Sequence, residues 1–215
     1  MTGPRHGLAA RRRVCRLRAG SVCTGYGGLD LAVAAVLGAA LAWCAETGRH
    51  ASTVLAARFP GVPNLGDLTR VDWAAVPPVD LVTAGFPCQD ISTVGRAPGI
   101  GKGTRSGLWM HIAEGLRFLR PGCVLVENVA ALRARGLGRV LADLAALGYD
   151  TQWASLRASD AGAAHCRNRI FVLAHQPAAL PRLLAAAHPG SRGVQRHRVP
   201  GILARPAGTA EETGP

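Results

Sequence analysis

Residues 19–46 read AGSVCTGYGGLDLAVAAVLGAALAWCAE, and the order of residue types in this stretch decides the fold. A short apolar run ends at Cys23 and meets the glycine turn Gly25-Tyr26-Gly27-Gly28. Residues 29–37 then have the length and composition of a helix, and residues 41–45 read as a second strand. Strand, glycine turn, helix and strand in that order predict a parallel crossover unit. The pattern continues outward. Residues 50–59 read as a helix that stops before Pro60, since proline cannot continue it. DLVTA (80–84) reads as a buried strand, and a Gly/Pro-rich loop follows over residues 85–107. Residues 108–119 carry Leu108, Ile112, Leu116 and Leu119 at helical spacing and end before Pro121. CVLVE (123–127) is a strand, 138–147 a helix, 151–157 a strand, and RIFVLA (169–174) closes the regular part. Strands alternating with short helices predict an α/β fold: a doubly wound, mostly parallel sheet covered on both faces.

At 215 residues the chain suits one core rather than two. We divide it into a basic extension (1–18), a principal domain (19–175) and a Pro/Gly/Arg-rich tail (176–215), with 186–215 loosely ordered. A composition of 48% hydrophobic and 18% charged residues is that of a globular protein. The longest uncharged apolar run, 31–45, is shorter than a membrane span of about 20 residues. The N-terminal arginines precede no signal-like apolar segment, so a cytoplasmic setting is expected. The net charge of +12 sits largely at the ends, because residues 1–18 hold six arginines and no acid. Arginine outnumbers lysine 24 to one, a bias that a GC-rich coding sequence also produces. The charge therefore permits a polyanionic partner without proving one. Six cysteines with no Cys-x-x-Cys pair argue against zinc ribbons and disulfide scaffolds.

Four places could carry chemistry. Glycines at a strand-to-helix turn let a ligand approach the backbone and the free amides of the helix start. Glu46 ends the second strand, where an acid can accept both ribose hydroxyls of an adenosine cofactor or simply sit at a helix start. Asp67 could bond an adenine amino group or serve as a turn aspartate. Cys88, in Gly85-Phe86-Pro87-Cys88-Gln89, stands beyond a strand's carboxyl end, as a nucleophile would. By contrast Cys44 and Cys123 lie inside apolar strands and read as core residues. Glu127, in Glu127-Asn128-Val129, is costly after an apolar strand unless it has a partner or a task. Arg167 and Arg169, at i and i+2, can hold an anion or a carbonyl oxygen, or form a solvated edge.

Gly-x-Gly-Gly, Pro-Cys-Gln, Glu-Asn-Val and Arg-x-Arg, in that order at strand ends, resemble the family of DNA methyltransferases that modify cytosine at carbon 5. The likeness runs from about residue 20 to 174, and AGFPCQDIS (84–92) is its most specific phrase. The resemblance implies a Rossmann-like methyltransferase fold, S-adenosylmethionine as cofactor, and no metal. It implies that Tyr26, Gly27 and Leu29 line the methionine side of the cofactor. Glu46 would then hold the ribose and Asp67 the adenine, with Leu108 nearby. It further implies that Cys88 adds to ring carbon 6 and Glu127 holds ring nitrogen 3. Arg169, with Arg167, would bind the ring carbonyl. The substrate implied is a cytosine flipped out of duplex DNA, in a restriction-modification setting.

Three departures stand beside the matches. Cys23 replaces a phenylalanine usual before the glycine turn, and Ala164-His165 replaces the usual Pro-Gln before the arginines. After residue 175 the remaining 40 residues are too few for a DNA-reading domain of ordinary size. The sequence is thus also compatible with a non-catalytic remnant or half of a split enzyme that binds DNA or a second polypeptide supplying target recognition. A cytosine methyltransferase acting on tRNA is a further alternative.

Overall fold

Burial on both faces places a strand in the middle of a sheet, and the first strand, β1 (Arg18–Val22, RAGSV), is buried at every position after Arg18. A computed structural model describes residues 16–86 and 107–187. In it β1 lies between β2 (Ala40–Ala45) and β3 (Leu81–Ala84). With β4 (Cys123–Val129), β5 (Asp150–Arg157) and β6 (Asn168–His175) they form one six-stranded sheet in the order β2-β1-β3-β4-β6-β5. The first four strands are parallel, whereas β6 runs antiparallel to both β4 and β5. The expected α/β sheet is therefore present, with one reversed strand. The connection from β5 to β6 is short enough to turn the chain back beside its predecessor rather than cross over the sheet.

Helices α1 (Gly28–Leu37), α2 (Arg49–Arg58), α3 (Leu108–Leu119), α4 (Leu132–Arg135), α5 (Leu137–Ala146) and α6 (Leu180–Ala187) complete the described elements. On one face Trp109, Ile112 and Leu116 of α3, with Leu132, Val140 and Leu144, cover Val22, Val82, Val124, Val126 and Val172. On the other, Val33 and Leu37 of α1 and Leu183 and Ala186 of α6 cover Ala19, Leu81 and Cys123. Residues 180–187 are thus a helix packed on the core, although the sequence reading placed them in a tail. The proline at position 181 and a run of alanines hide their periodicity. None of the described helices is long and apolar enough to cross a membrane.

Two contacts fix β1 against its neighbours. Trp43 of β2 is fully buried and lies against Gly20, so closely that a Cβ at Gly20 would overlap the indole. Its Nε1 donates to the Pro77 carbonyl at 3.0 Å. Gly20→Ala is accordingly expected to destabilise the protein by about 1–3 kcal/mol through overpacking, read as a lowered urea midpoint. On the opposite face the Asp30 carboxylate of α1 is buried and accepts from Ser21 Oγ at 3.0 Å and Thr83 Oγ1 at 2.6 Å. Burial raises the pKa of Asp30, and the two hydroxyl donors oppose that rise. Through these bonds the first turn of α1 is tied to β1 and β3 together.

Candidate active site

From β1 the chain crosses to β2 on one side, then returns to β3 on the other side of β1. Such a reversal opens a crevice outside the strands' carboxyl ends, where ligands of open α/β sheets bind. The segments that follow β1, β2 and β3, and the facing ends of β4 and β6, carry the sequence candidates among the described residues.

The turn from β1 to α1 forms one wall. Cys23 adopts a left-handed conformation (φ 51°), uncommon for a residue with a side chain, and its amide donates to the Ala45 carbonyl at 2.9 Å. Gly27, at φ 77°, could not be replaced freely: a Cβ there would stand 2.7 Å from the Phe59 ring. Tyr26 is 61% exposed, and its carbonyl accepts from Arg58 of α2 at 2.9 Å. Leu29 is half-buried in the first turn of α1, and Leu108 is half-buried at the start of α3.

Glu46, one residue past β2, reaches back to this turn. Its Oε2 accepts from the Gly25 amide and its Oε1 from the Gly48 amide, each at 2.7 Å. Asn64, which the sequence reading passed over, holds it in place. Asn64 Oδ1 accepts from the amides of Glu46 and Gly66 at 2.9 and 3.0 Å. Its Nδ2 donates to the Glu46 carbonyl at 3.0 Å and to Ser52 Oγ at 3.1 Å. One loop side chain therefore joins Glu46 to the segment that carries Asp67. Asp67 caps a short 3-10 turn, Leu68–Arg70, with Oδ1 accepting from Thr69 N at 3.0 Å and Thr69 Oγ1 at 2.8 Å. Those bonds lower its pKa. This is the turn-aspartate role, and it leaves Oδ2 facing Arg70 at 3.8 Å.

The opposite wall is built by β4 and β6. The sequence ends the fourth strand at Glu127; the ladder continues to Val129, with Glu127 opposite Phe171 and Val129 opposite Arg169. Because β6 is reversed, its first residues meet the last residues of β4. Arg169 Nε contacts Glu127 Oε1 at 2.8 Å, with both side chains partly exposed at 21% and 29%. A Cβ on Gly85 would lie 3.4 Å from the Cys23 carbonyl and 3.8 Å from Glu127 Oε2, so both walls meet at Gly85. Arg167 does not join them. It is exposed ahead of β6, and its amide donates to His165 Nδ1 at 3.3 Å.

Cys88 lies outside the described residues, but the approach to it is fixed at Phe86. That ring is buried 5.6 Å from Trp109, and its carbonyl accepts from Asn128 Nδ2 at 3.0 Å. Asn128 is itself buried and uses its Oδ1 on the Val129 amide at 2.8 Å. The residue after Glu127 thus ties the strand bearing the acid to the segment two residues before Cys88. The sequence signal was present, since Asn128 stands in the quoted Glu-Asn-Val, but nothing in the sequence names its partner.

The other cysteines in this part of the sheet are poor nucleophiles. Burial, aided by the Glu46 charge, pushes the Cys23 thiol up to about 12. Burial likewise raises Cys44 and Cys123 to about 11. Among the described residues no group of three or more His, Cys, Asp or Glu is placed to hold a metal ion.

Comparison with known proteins gives a consistent picture. The family model described as C-5 cytosine-specific DNA methylase matches residues 17–196. The type II methyltransferase M.DsaV of Dactylococcopsis salina is 34% identical over 144 residues, 65% of this chain and 40% of that protein. M.NgoBI of Neisseria gonorrhoeae is 34% identical over 154 residues, 70% of this chain and 48% of that protein. The chain spans less than half the length of either relative. Among solved structures, a prophage-encoded DNA modification methyltransferase from E. coli superposes with a TM-score of 0.61 at 25% identity. It covers 75% of this chain and 47% of that one. The S. pombe Dnmt2 methyltransferase gives a TM-score of 0.62 at 20% identity, covering 75% and 51%, and so shares the fold.

Proposed function

The chain belongs to the C-5 cytosine-specific DNA methylase family, and from that premise we propose that it transfers a methyl group from S-adenosylmethionine to carbon 5 of cytosine in DNA. The observation that carries this reading is the Glu127–Arg169 pair standing across Gly85 from the Glu46-bound glycine turn. It sets an acid for the base opposite an acid for the cofactor, with the approach to Cys88 between them.

The residues fit the cofactor. Each Glu46 oxygen accepts one backbone N–H, whereas a carboxylate offers about four acceptor sites. One site on each oxygen therefore remains for a pair of vicinal ribose hydroxyls. Gly25, at φ 56°, has open space where a side chain would stand, which leaves the turn accessible to a ligand. Tyr26, Gly27 and Leu29 form the methionine side, Asp67 Oδ2 takes the adenine amino group, and Leu108 closes the site from α3. When bound, the cofactor supplies an electrophilic methyl group.

Activation of the base falls to this chain's own side chains. The Cys88 thiolate adds to carbon 6 of a cytosine flipped from the duplex, which makes carbon 5 nucleophilic. Glu127, positioned by Arg169, holds a proton at ring nitrogen 3 and so stabilises the charge that the addition places on the ring. The N–H groups of Arg169 not spent on Glu127 or the Asn168 carbonyl donate to the ring carbonyl, while Arg167, exposed ahead of β6, stands outside this group. With the cofactor bound, carbon 5 would take the methyl group from its sulfonium, leaving a neutral thioether; loss of the carbon 5 proton to water would then re-form the 5,6 double bond and expel the Cys88 sulfur as thiolate. Sequence-specific reading of the DNA comes from a further segment or a second polypeptide, a division supported by the limited span of the relatives that this chain matches. Duplex DNA incubated with the protein and S-adenosylmethionine is expected to yield 5-methylcytosine on nucleoside mass spectrometry. Methylation of tRNA but not DNA in parallel reactions would replace this reading with an RNA substrate.

Glu46 and Asn64 make separate predictions about the cofactor side. Glu46→Ala removes two charge-assisted hydrogen bonds and should weaken S-adenosylhomocysteine binding roughly 10- to 100-fold. Asn64→Ala should weaken the same titration severalfold and raise the KM for S-adenosylmethionine while leaving kcat intact, since Asn64 acts through Glu46. Unchanged affinity in both variants would remove this corner from the site.

A further inference from the structure

Outside the pocket, β5 pairs with β6 alone among the described residues, and its outward-facing positions are not those of an ordinary solvated edge. Trp153, Ser155 and Arg157 alternate on one face of the strand, and all three are exposed. Trp153 leaves 41% of its surface in solvent, and the guanidinium of Arg133, on α4, lies over its ring at 5.7 Å from the centroid. A guanidinium over a ring face is held there by cation–π attraction and still offers N–H donors to an oxyanion. At the other end, Arg157 pairs across the ladder with Asn168, the neighbour of Arg169. The strip therefore starts level with the end of the sheet that carries Glu127 and Arg169, on the opposite face from their contact, and runs away from that end. The four residue steps from Trp153 to Arg157 cover about 13 Å, close to the rise of about four nucleotides of one DNA strand. Close by, the Asp160 carboxylate accepts from the Arg157 amide at 2.9 Å, while Arg167 adds a further positive charge.

We propose that Arg133, stacked on Trp153, and Arg157 form a second contact for the phosphate backbone of DNA, beside the pocket that takes the target cytosine. This rests on the reading of the chain as a DNA cytosine methyltransferase, and its test is a binding measurement made without methyl transfer. The purified full chain would be titrated onto a fluorescein-labelled, cytosine-containing duplex, with anisotropy followed across a range of salt. R133A/R157A should bind several-fold more weakly at low salt. The slope of log K against log salt should flatten by about 1.8, the value for two lost phosphate contacts. W153A should weaken binding less, by releasing Arg133 from its stacked position. R117A/R120A, at the C-terminal end of α3, removes the same charge at the other end of the strands, where Arg120 stands three residues before β4, and should leave the slope near that of the unsubstituted chain. Calorimetry with S-adenosylhomocysteine should give the same affinity for all of these variants, which establishes that each is folded. Equal losses in the strip variant and the α3 variant would overturn the proposal, because the effect would then be general charge. An unsubstituted chain whose binding does not respond to salt would overturn it as well. A chain that binds through the strip yet leaves cytosine unmethylated would retain this contact and refute the catalytic reading instead.

Discussion

Cys88→Ser is expected to lower methyl transfer by on the order of 10³-fold or more while S-adenosylhomocysteine binds as before. The step at stake is the addition to carbon 6, which needs a thiolate, and a serine hydroxyl is scarcely ionised near neutral pH. Cys23, Cys44 and Cys123 cannot take over, because burial holds their thiols up at about 11 to 12. Cys166 is exposed beside Arg167, so Cys166→Ser is the informative control and should retain activity. A duplex containing 5-fluorocytosine separates the chemical step from binding. Its fluorine cannot leave as a cation, so the sulfur adduct accumulates and survives a denaturing gel. The unsubstituted protein and Cys166→Ser should form that adduct, and Cys88→Ser should not. An active protein whose Cys88→Ser variant still forms it would show that another residue attacks the ring.

The glycine turn, the helix Leu108–Leu119 and the strand ends at Ala45 and Ala84 are all legible in the sequence, for a common reason. Each is written in local periodicity or in glycine and proline, which act on their own neighbours. Features that depend on distant partners are not legible in this way. RIFVLA is an apolar run whichever way it points, so the reversal of β6 appears only once its ladder with β4 is formed. That reversal is what brings Arg169 to Glu127. Nothing local to Asp30 names its partners, because Ser21 and Thr83 stand 9 and 53 residues away in sequence. Asn64 reads as one more polar residue in a loop, yet four hydrogen bonds converge on it. Residues proposed for the chemistry are chosen by type and position, whereas the residues that hold their neighbours in place become visible only in the fold.

Glu127→Gln is expected to reduce kcat by about 10²- to 10⁴-fold, equivalent to roughly 3–5 kcal/mol of lost barrier lowering. Glutamine keeps the shape but cannot hold a proton at ring nitrogen 3, so the negative charge arising from thiolate addition is left on the ring. Arg169→Ala attacks the same function from the other side. It removes the 2.8 Å contact and leaves the carboxylate free to turn out of position. Because both substitutions disable one unit, the double variant should lose much less than the product of the two single losses. Arg169→Lys should fall between, since lysine restores the charge without the planar fork. Exchange of the carbon 5 hydrogen of cytosine with solvent gives a second readout, because it needs addition by Cys88 and activation by Glu127 but no methyl donor. Glu127→Gln should slow that exchange as much as it slows methylation, with S-adenosylhomocysteine affinity unchanged. Normal exchange with slow methylation would move Glu127 from activation of the base to a later step. Independent, multiplicative losses in the double variant would mean that the Arg169 contact does not serve Glu127 during the reaction.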